Sequence, residues 1–321
     1  MVAAMNLWMR RWGLAALAAL ALSGCGGSPS WRSPASRSSA QPDLPPPPDT
    51  PVAQGCDDEG AFDMAGLDGF QLPLCIETAE GVMSIEGDYL PGVVECELGG
   101  AYRAPAALRA QAVAARTYLM AHLKRRKRRG RPVKIGPHFQ CWKPAKRDSS
   151  RQAVVDTAGV IMVRGGQVLD SNYVSGTRYR GADCAPEPPE ESGYDYDTWL
   201  EMRRAYYRSK KRGRRLRFKG RFWTEILVTY NSGRQGDEVE GTPMAPSRAT
   251  NRGAMSQYGA VCYALRRGMD APDILRQYYG QDVGFYGAFR PGAPTAPAPD
   301  EEIPDLEPEH EPLPDLDLNA L

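Results

Sequence analysis

Histidine is scarce in this chain of 321 residues, which has only His122, His138 and His310. A zinc site built mainly from imidazoles is therefore excluded, because four ligands would have to come from other residue types. The spacing allows a zinc site only if His138 and Cys141, three residues apart, are joined by two further cysteines. Disulfide bonds are the competing use of those cysteines, and we otherwise expect no cofactor.

A long apolar run is also missing near the start of the chain. Residues 13–22 are apolar but too short to cross a bilayer, and they follow Arg10 and Arg11. The sequence Leu-Ser-Gly-Cys ending at Cys25 then has the form of a lipoprotein cleavage box. We expect residues 1–25 to be a lipoprotein signal peptide and Cys25 to carry lipid that holds the protein on a membrane. An ordinary secretory signal with a chance cysteine is the alternative.

Two segments have too few apolar residues to bury a core. Residues 26–55 are rich in serine and proline, and residues 291–321 are acidic and rich in proline. Such compositions cannot offset the entropy lost on ordering, so we expect a disordered tether and a disordered tail. The domain organisation predicted is therefore a signal peptide, a tether, one domain over 56–290 and a tail.

An excess of charge of one sign is absent overall, since the formal net charge is +1. The basic residues are nevertheless concentrated in two blocks, 124–131 and 203–221. An exported protein rarely meets nucleic acid, so anionic lipid, phosphate groups or a wall polymer are the partners that such blocks favour. Two solvated basic faces are the equally weighted alternative. The predicted location is the cell envelope, either facing the periplasm or on an outer membrane. Gly26, directly after the cysteine, favours the outer membrane.

The chain has seven cysteines, and setting Cys25 aside leaves six, an even number. An even number in an oxidising compartment predicts disulfides, although the pairing does not follow from sequence. Cys56 with Cys75 is the local pairing that we expect.

The stretch 89–123 has the strongest structural pattern in the chain. Residues 89–94 are apolar and partly β-branched, which predicts a short buried strand that ends near Glu97. Gly99 and Gly100 predict a tight turn at positive φ. Pro105 then suits the first turn of a long helix with an apolar face, and the basic block 124–131 continues it.

The remaining patterns mix strands with helices. Residues 161–173 predict a β-hairpin around Gly165 and Gly166, and residues 223–230 predict another strand. Helices are predicted over 256–267 and 272–279, with Ser256 able to cap the first. Because no regular alternation of strand and helix appears, we predict an α+β fold with a long central helix packed on short strands, flanked by disordered termini.

Two motifs resemble those of a known family. YLPGVVECEL followed by LRAQAVAARTY, within 89–118, resembles the signature of the SpoIID/LytB family, named after stage II sporulation protein D and the amidase enhancer. TNRGAMSQYGA, residues 250–260, is similar to the second segment of that family. The resemblance covers roughly residues 82–284. A role in sporulation is suggested only by the family's name.

The resemblance implies a lytic transglycosylase that cuts peptidoglycan glycan strands with one glutamic acid, which falls on Glu97. That acid protonates the glycosidic oxygen and then accepts the proton of the muramic acid 6-hydroxyl, which requires a raised pKa. Glu95 is given no role. The other residues that the resemblance brings to the groove, as a substrate-binding set, are Arg116, Asn251, Ser256, Gln257 and Tyr258. For Arg116, a buried pair with a carboxylate is the alternative.

Two departures from the family pattern leave a second function open. Asn251 and Val174 stand where the family has histidines, and asparagine does not titrate near neutrality. The alternative is therefore a non-catalytic module that binds peptidoglycan and assists a cell-wall amidase. Glycan strands, an amidase and a membrane are the partners implied by these hypotheses, and nucleic acid is not.

Overall fold

The computed structural model describes Cys56 and residues 61–62, 72–101, 103–126, 139–189, 196–212 and 222–290. The predicted signal peptide with Cys25, the tether, the acidic tail and His138 lie outside these residues. Within the described ranges, none of the helices combines the length and apolar character that crossing a membrane requires.

The described elements mix helices with short strands, as predicted. In chain order they are β1 (Ala61–Phe62), β2 (Leu72–Pro73), β3 (Cys75–Thr78), β4 (Gly81–Ser84), a π-helical turn (Ile85–Tyr89), α1 (Leu90–Leu98), a 3-10 turn (Gly99–Ala101), α2 (Pro105–Arg126), α3 (Asp148–Asp156), β5 (Ile161–Arg164), β6 (Gln167–Val168), β7 (Asp170–Val174), β8 (Tyr179–Arg180), β9 (Ala185–Pro186), α4 (Trp199–Lys211), α5 (Phe222–Glu225), a 3-10 turn (Gly236–Glu238), β10 (Asn251–Ser256), α6 (Gln257–Arg267), α7 (Ala271–Tyr279) and β11 (Gly284–Tyr286).

Helix α2 is the centre of the domain. It contacts α1, α3, α6 and α7, and also the strands β5 and β7. Its small side chains let these neighbours approach closely, and the fully buried alanines include Ala107, Ala110, Ala112, Ala114 and Ala115. The prediction of a central helix is confirmed, but α2 is buried on most of its surface and not on a single face.

The predicted strand over 89–94 is wrong, because these residues begin helix α1. Leu90, Val93, Val94 and Leu98 are all buried, and their spacing of three and four residues is that of one helical face. Pro91 lies in the first turn, where its missing N–H costs no hydrogen bond. Helical burial of β-branched residues has here overcome their preference for strands.

The predicted positive-φ turn at Gly99 and Gly100 is also wrong. Both glycines lie in the 3-10 turn, and neither is among the residues with positive φ. At Gly99 the reason for glycine is space, since an added Cβ would lie 3.1 Å from the Arg147 guanidinium and 3.1 Å from the Glu95 carboxyl carbon.

The strands form several small sheets and not one large one. The predicted hairpin is confirmed for β5 and β6, which are joined by Gly165 at φ 54° and Gly166 at φ 74°. Strand β11 adds to the other edge of β5. Strand β7 instead pairs in parallel with β10, with Ser256 opposite Val174. This parallel pair brings the second motif beside the residues that follow the hairpin.

The predictions for the C-terminal half are partly confirmed. Helices α6 and α7 form where expected, with Ser256 and Asp270 as their N-caps. The strand predicted over 223–230 is wrong, because α5 occupies its start and the rest runs as buried irregular chain. Ile226 and Val228 are completely buried there, so the apolar pattern reports burial and not sheet pairing.

Three disulfides join the six remaining cysteines. Cys56 pairs with Cys75 as predicted, and the others are Cys96–Cys141 and Cys184–Cys262. Because Cys141 is bonded to Cys96, its sulfur is not a free thiolate for the zinc site considered above, whose other residue His138 lies outside the described chain.

The described parts of both basic blocks make structural contacts. Arg125, near the end of α2, pairs with the buried Asp170. Arg203, in α4, donates from Nε to the Ile226 carbonyl oxygen at 2.6 Å and also to the Val228 carbonyl. These arginines therefore hold neighbouring segments together, so not every basic side chain of the blocks is a solvated charge.

Candidate functional site

Glu97 lies on the last turn of α1, where two distant parts of the chain meet its carboxylate. Its Oε1 accepts a hydrogen bond from the Cys141 backbone N–H at 2.9 Å. Its Oε2 accepts from the Gln257 side-chain amide at 3.0 Å. The first motif therefore touches the second through Glu97 and Gln257, as the sequence analysis expected of a shared groove.

The segment around Cys141 reaches Glu97 because of two features of α1. Gly92 has no side chain, and a Cβ there would lie 2.7 Å from the Lys143 carbonyl oxygen, so this segment crosses α1 at close range. The disulfide Cys96–Cys141 then ties the segment to the residue next to Glu97. Together these features fix the backbone N–H that hydrogen-bonds Glu97.

A second glutamine lies behind the pair. The Gln257 amide nitrogen is also 3.4 Å from Gln111 Oε1, and Gln111 is fully buried on α2. Within the described part of the chain, Gln111 Nε2 has no hydrogen-bond partner. The sequence contains Gln111 inside the first motif, but nothing in the pattern predicts its contact with Gln257.

Burial raises the pKa of the Glu97 carboxyl above its ordinary value, and the hydrogen bonds from Gln257 and Cys141 oppose that rise. Burial dominates, which favours the protonated form. The side chain is nevertheless partly exposed to solvent, so a ligand can reach it. A partly buried acid with a raised pKa is the environment required of a residue that donates a proton.

Three tyrosines surround the acid at longer range. Burial and the negative charge of Glu97 raise the pKa of Tyr89 and of Tyr173. Gln140 links these two rings, because it accepts from the Tyr89 hydroxyl at 2.8 Å and donates to the Tyr173 hydroxyl at 2.8 Å. Tyr118 lies 6.3 Å from Tyr173 between ring centroids. Sequence reasoning missed this group, since Gln140 and Tyr173 belong to neither motif.

Arg116 does not face the groove. It is fully buried, and its Nε and Nη2 each donate to Glu86 at 2.7 Å. Its Nη1 donates to the Val160 carbonyl oxygen at 3.1 Å. The expected substrate contact is therefore corrected to the alternative, a buried ion pair, because a guanidinium without water needs these partners.

Glu95 and Glu97 point to different neighbours because they lie on a helix and not on one strand face. Glu95 accepts from the Arg147 guanidinium at 2.5 Å and from the Ser150 hydroxyl at 2.7 Å. Both partners belong to the start of α3 or the residue before it. Glu95 therefore joins α1 to α3, which agrees with giving it no role in the chemistry.

The other predicted binding residues support the fold around Gln257. Ser256 caps α6, accepting from the Gly259 N–H at 3.1 Å. Tyr258 is 2% exposed and packs with Tyr179 and the Cys184–Cys262 bond. Asn251 donates to the carbonyl oxygens of Thr242 at 2.7 Å and Ala245 at 2.8 Å.

Of the predicted binding set, only Gln257 contacts Glu97. The contacts described above give Ser256, Tyr258 and Asn251 structural roles, and their direct contacts with sugars stay a prediction. Val174, at the other departure from the family pattern, is partly buried at the end of β7.

Glu225, which the sequence analysis missed, is a second carboxyl whose pKa is raised by burial. Glu225 Oε2 accepts from the Thr177 N–H at 2.7 Å, and the Tyr230 hydroxyl donates to its other oxygen. The Tyr179 hydroxyl lies 2.8 Å from that of Tyr230. Burial raises the pKa of Glu225 to about 7. The sequence analysis gave Glu225 no role, because its contact with Thr177 joins segments far apart in the chain.

Comparison with known proteins supports the first motif. Residues 80–163 match the family model described as Stage II sporulation protein, SpoIID. The search of curated proteins finds no match. The matched residues include Glu97 and Gln111 but not Gln257. The stretch from before β4 to β5, which carries the candidate acid, is thus similar to the SpoIID family.

Proposed function

We propose that this protein is a lytic transglycosylase that cleaves peptidoglycan glycan strands with Glu97 as both acid and base. A SpoIID match implies a function related to the cell wall. The observation that carries the finer proposal is the position of Glu97. It is partly exposed, its pKa is raised by burial, and it lies where the two motifs meet.

The proposed reaction needs one carboxyl group and no water. Protonated Glu97 donates its proton to the oxygen that leaves C1 of muramic acid, and the C1–O bond breaks. The 6-hydroxyl oxygen of the same sugar then bonds to C1, and its proton passes to the Glu97 carboxylate. The strand is cut, a 1,6-anhydro ring closes, and Glu97 ends protonated as it began.

The two glutamines provide hydrogen bonds for either protonation state of Glu97. With the carboxylate ionised, Gln257 Nε2 donates to it, as described above. When Glu97 is protonated, a flip of the Gln257 amide presents its oxygen to the acid, and a flip of the Gln111 amide, whose oxygen otherwise faces Gln257, lets Gln111 Nε2 donate to the same oxygen. The buried Gln111 nitrogen, which has no partner among the described residues, is satisfied in that state.

Aromatic rings next to the acid provide a surface for sugar faces. Tyr173, Tyr118 and Phe139 are all partly exposed, and the Tyr118 and Phe139 ring centroids are 5.4 Å apart. Aromatic rings of this kind stack against the apolar faces of sugars. We assign these three residues to the walls of the glycan-binding groove.

The test is the replacement of Glu97 by glutamine, which keeps the shape but removes the proton. Peptide-free glycan strands are incubated with the intact chain, and the products are analysed by mass spectrometry. The unmodified protein should release ends in 1,6-anhydromuramic acid, and Glu97→Gln should lower the rate by at least ~100-fold with strand binding retained. Glu95→Gln is not a suitable control, because Glu95 joins α1 to α3, so Glu238→Gln on the exposed surface serves.

Full activity of Glu97→Gln would contradict the assignment of the acid. Products with ordinary reducing ends would instead mean hydrolysis, which requires water and a second carboxylate. The pH dependence gives a further check, since the protonated form is the active one. The rate should be highest below the raised pKa of Glu97 and should fall as the pH rises through it.

A non-catalytic module that binds glycan and assists an amidase is the second candidate. The specific observation in its favour is that both oxygens of Glu97 already accept hydrogen bonds from the protein. On this second proposal the carboxylate shapes the groove and transfers no proton. In this case strands remain uncut by the protein alone, bind it, and are bound equally by the Glu97→Gln variant.

The SpoIID family is associated with the cell envelope, which supports a working place outside the cytoplasm. We propose that lipid on Cys25 anchors the protein to a membrane there, and that the segment 26–55 lets the domain reach the wall. Cys25 and this segment lie outside the described residues.

A further inference from the structure

Gln140 holds two tyrosine hydroxyls in a fixed arrangement next to the candidate acid. Its Nε2 donates to the Ala115 carbonyl oxygen at 3.1 Å and to the Tyr173 hydroxyl at 2.8 Å. Its Oε1 accepts from the Tyr89 hydroxyl at 2.8 Å. Gln140 is only 2% exposed. These bonds use both protons of the buried amide nitrogen.

The direction of these hydrogen bonds follows from the chemistry of the partners. The Ala115 carbonyl oxygen can only accept, so the nitrogen of the Gln140 amide must face it. The same nitrogen therefore donates to Tyr173, because an amide nitrogen is a donor only. The Tyr173 oxygen is the acceptor in that bond, and its own proton points elsewhere. Gln140 is the one hydrogen-bond partner that the described chain gives to the Tyr173 hydroxyl.

The segments that hold Tyr173 in place also hold Glu97. Cys141, directly after Gln140, donates its backbone N–H to Glu97 at 2.9 Å. Tyr173 itself lies in β7, which pairs in parallel with β10. Strand β10 leads directly into Gln257, which donates to Glu97 at 3.0 Å. The Tyr173 hydroxyl is therefore fixed relative to the acid from two sides.

Tyr173 differs from Tyr89 in what it can offer to a ligand. Tyr173 is partly exposed, as is Glu97, so a ligand bound at the acid can reach its hydroxyl. Burial and the charge of Glu97 raise the pKa of Tyr173, which keeps the hydroxyl protonated and able to donate. Tyr89 is completely buried, and its proton already goes to Gln140.

We propose that the Tyr173 hydroxyl donates a hydrogen bond to an oxygen atom of the sugar bound at Glu97, and that Gln140 is the positioning residue that directs its proton toward the groove. This inference rests on the proposed function only in assuming a glycan ligand, and it does not require cleavage. The hydroxyl and acetamido oxygens of a peptidoglycan strand supply acceptors of the kind that a neutral phenol can bind.

The test measures binding of peptide-free glycan strands to the intact chain carrying Glu97→Gln, so that cleavage does not interfere. Tyr173→Phe in this chain removes the hydroxyl but keeps the ring. It should weaken binding about fivefold to tenfold, as expected for the loss of one hydrogen bond. Unchanged affinity, or no binding of strands by the chain that keeps Tyr173, would overturn the proposal.

Tyr89→Phe is the matched control, because it removes a hydroxyl at the same 2.8 Å distance from Gln140. Each variant costs Gln140 one hydrogen bond, so both should lower the midpoint of thermal unfolding. Only Tyr173→Phe should weaken strand binding by the folded protein, since the Ala115 carbonyl still fixes the amide in Tyr89→Phe. Equal losses of affinity in the two variants would show a structural effect and contradict the proposed contact.

A double-mutant cycle tests the role of Gln140. Gln140→Met should weaken strand binding when Tyr173 is present and cause no further loss in the Tyr173→Phe background, where no proton remains to be directed. Equal losses in both backgrounds would show that Gln140 does not act through Tyr173. If Gln140→Met fails to fold, Gln140→Glu, which keeps an acceptor for Tyr89, is measured in the same cycle.

Failure of the proposed cleavage is seen separately, as absence of anhydro products from the unmodified protein.

Discussion

At the scale of single residues, Glu225 makes the stability of the domain depend on pH. Its pKa is about 7 in the fold against an ordinary 4.5. Between these values the folded chain keeps a proton that the unfolded chain has lost. Its contribution to the free energy of unfolding is therefore fully present below pH 4.5 and is lost as the pH rises through about 7.

Glu225→Gln should remove that dependence, because the amide is neutral throughout and can still accept from Thr177 and donate to Tyr230. We expect the free energy of unfolding of the variant, relative to the unmodified protein, to rise by on the order of 3 kcal/mol from pH 4.5 to pH 8. Urea unfolding at a series of pH values measures this. His122, whose pKa burial lowers to about 4, acts in the opposite direction, so the difference between the two proteins is the informative quantity.

Glu238→Gln, at an exposed position, should leave the pH dependence unchanged. A Glu225→Gln curve parallel to that of the unmodified protein would mean that Glu225 is ionised in the fold at no cost.

At the scale of elements, the close crossing over α1 depends on Gly92. Alanine there would place a Cβ 2.7 Å from the Lys143 carbonyl oxygen, so the segment that contains Cys141 must move away. We expect Gly92→Ala to destabilise the domain by about 1–3 kcal/mol, as overpacking does, and to weaken the hydrogen bond from Cys141 to Glu97. The measurements are thermal unfolding and the rate of anhydro-product release.

Gly100→Ala is the comparison, since Gly100 is exposed in the following turn and does not adopt positive φ. It should change neither measurement appreciably. Normal stability and activity in Gly92→Ala would show that the segment tolerates displacement and that its position does not control Glu97.

The elements that were predicted correctly are those whose boundaries are marked by residues close to them in the sequence. Ser256 and Asp270 mark the starts of α6 and α7, and two glycines at positive φ mark the hairpin turn. The errors arose where burial overrode propensity. Val93 and Val94 favour strands by type, but their spacing relative to Leu90 and Leu98 is helical, and tertiary packing decides between the two.

The candidate site was predictable only where it lies in the motifs. Glu97 and Gln257 were identified, and the structure brings them within 3.0 Å. Three other features were not predicted from the sequence: the Cys141 N–H, Gln140 and the arginines around Asp170. A backbone donor has no sequence signature, and the other contacts join segments that are far apart in the chain. Arg116 was misassigned because its motif does not reveal that its partner is Glu86.

At the scale of the whole molecule, three disulfides make the domain dependent on an oxidising environment. The double variant Cys96→Ser, Cys141→Ser opens a loop of 45 residues. Loss of the bond should lower the free energy of unfolding by about 4 kcal/mol, because the unfolded chain gains entropy. It also frees the segment that donates a hydrogen bond to Glu97. We expect this double variant to lose both stability and product release. Both are measured at a temperature where it remains folded.

The matched control is Cys56→Ser with Cys75→Ser, which opens a loop of 19 residues worth about 3 kcal/mol. That bond does not join the segments around Glu97, so stability should fall while product release from the folded fraction persists. Equal loss of turnover in the two double variants would show that the Cys96–Cys141 bond has no particular effect on the site.

Helix α2 runs behind the candidate acid, and its length has a consequence for the size of the proposed substrate. Gln111, which contacts Gln257, and Arg125, which pairs with Asp170, lie fourteen residues apart on this helix. At 1.5 Å per residue, they are about 21 Å apart along the axis. If the glycan strand of the proposed function lies along α2, we expect a strand of several sugars to reach from Gln111 to Arg125, whereas a released disaccharide would reach only one of them.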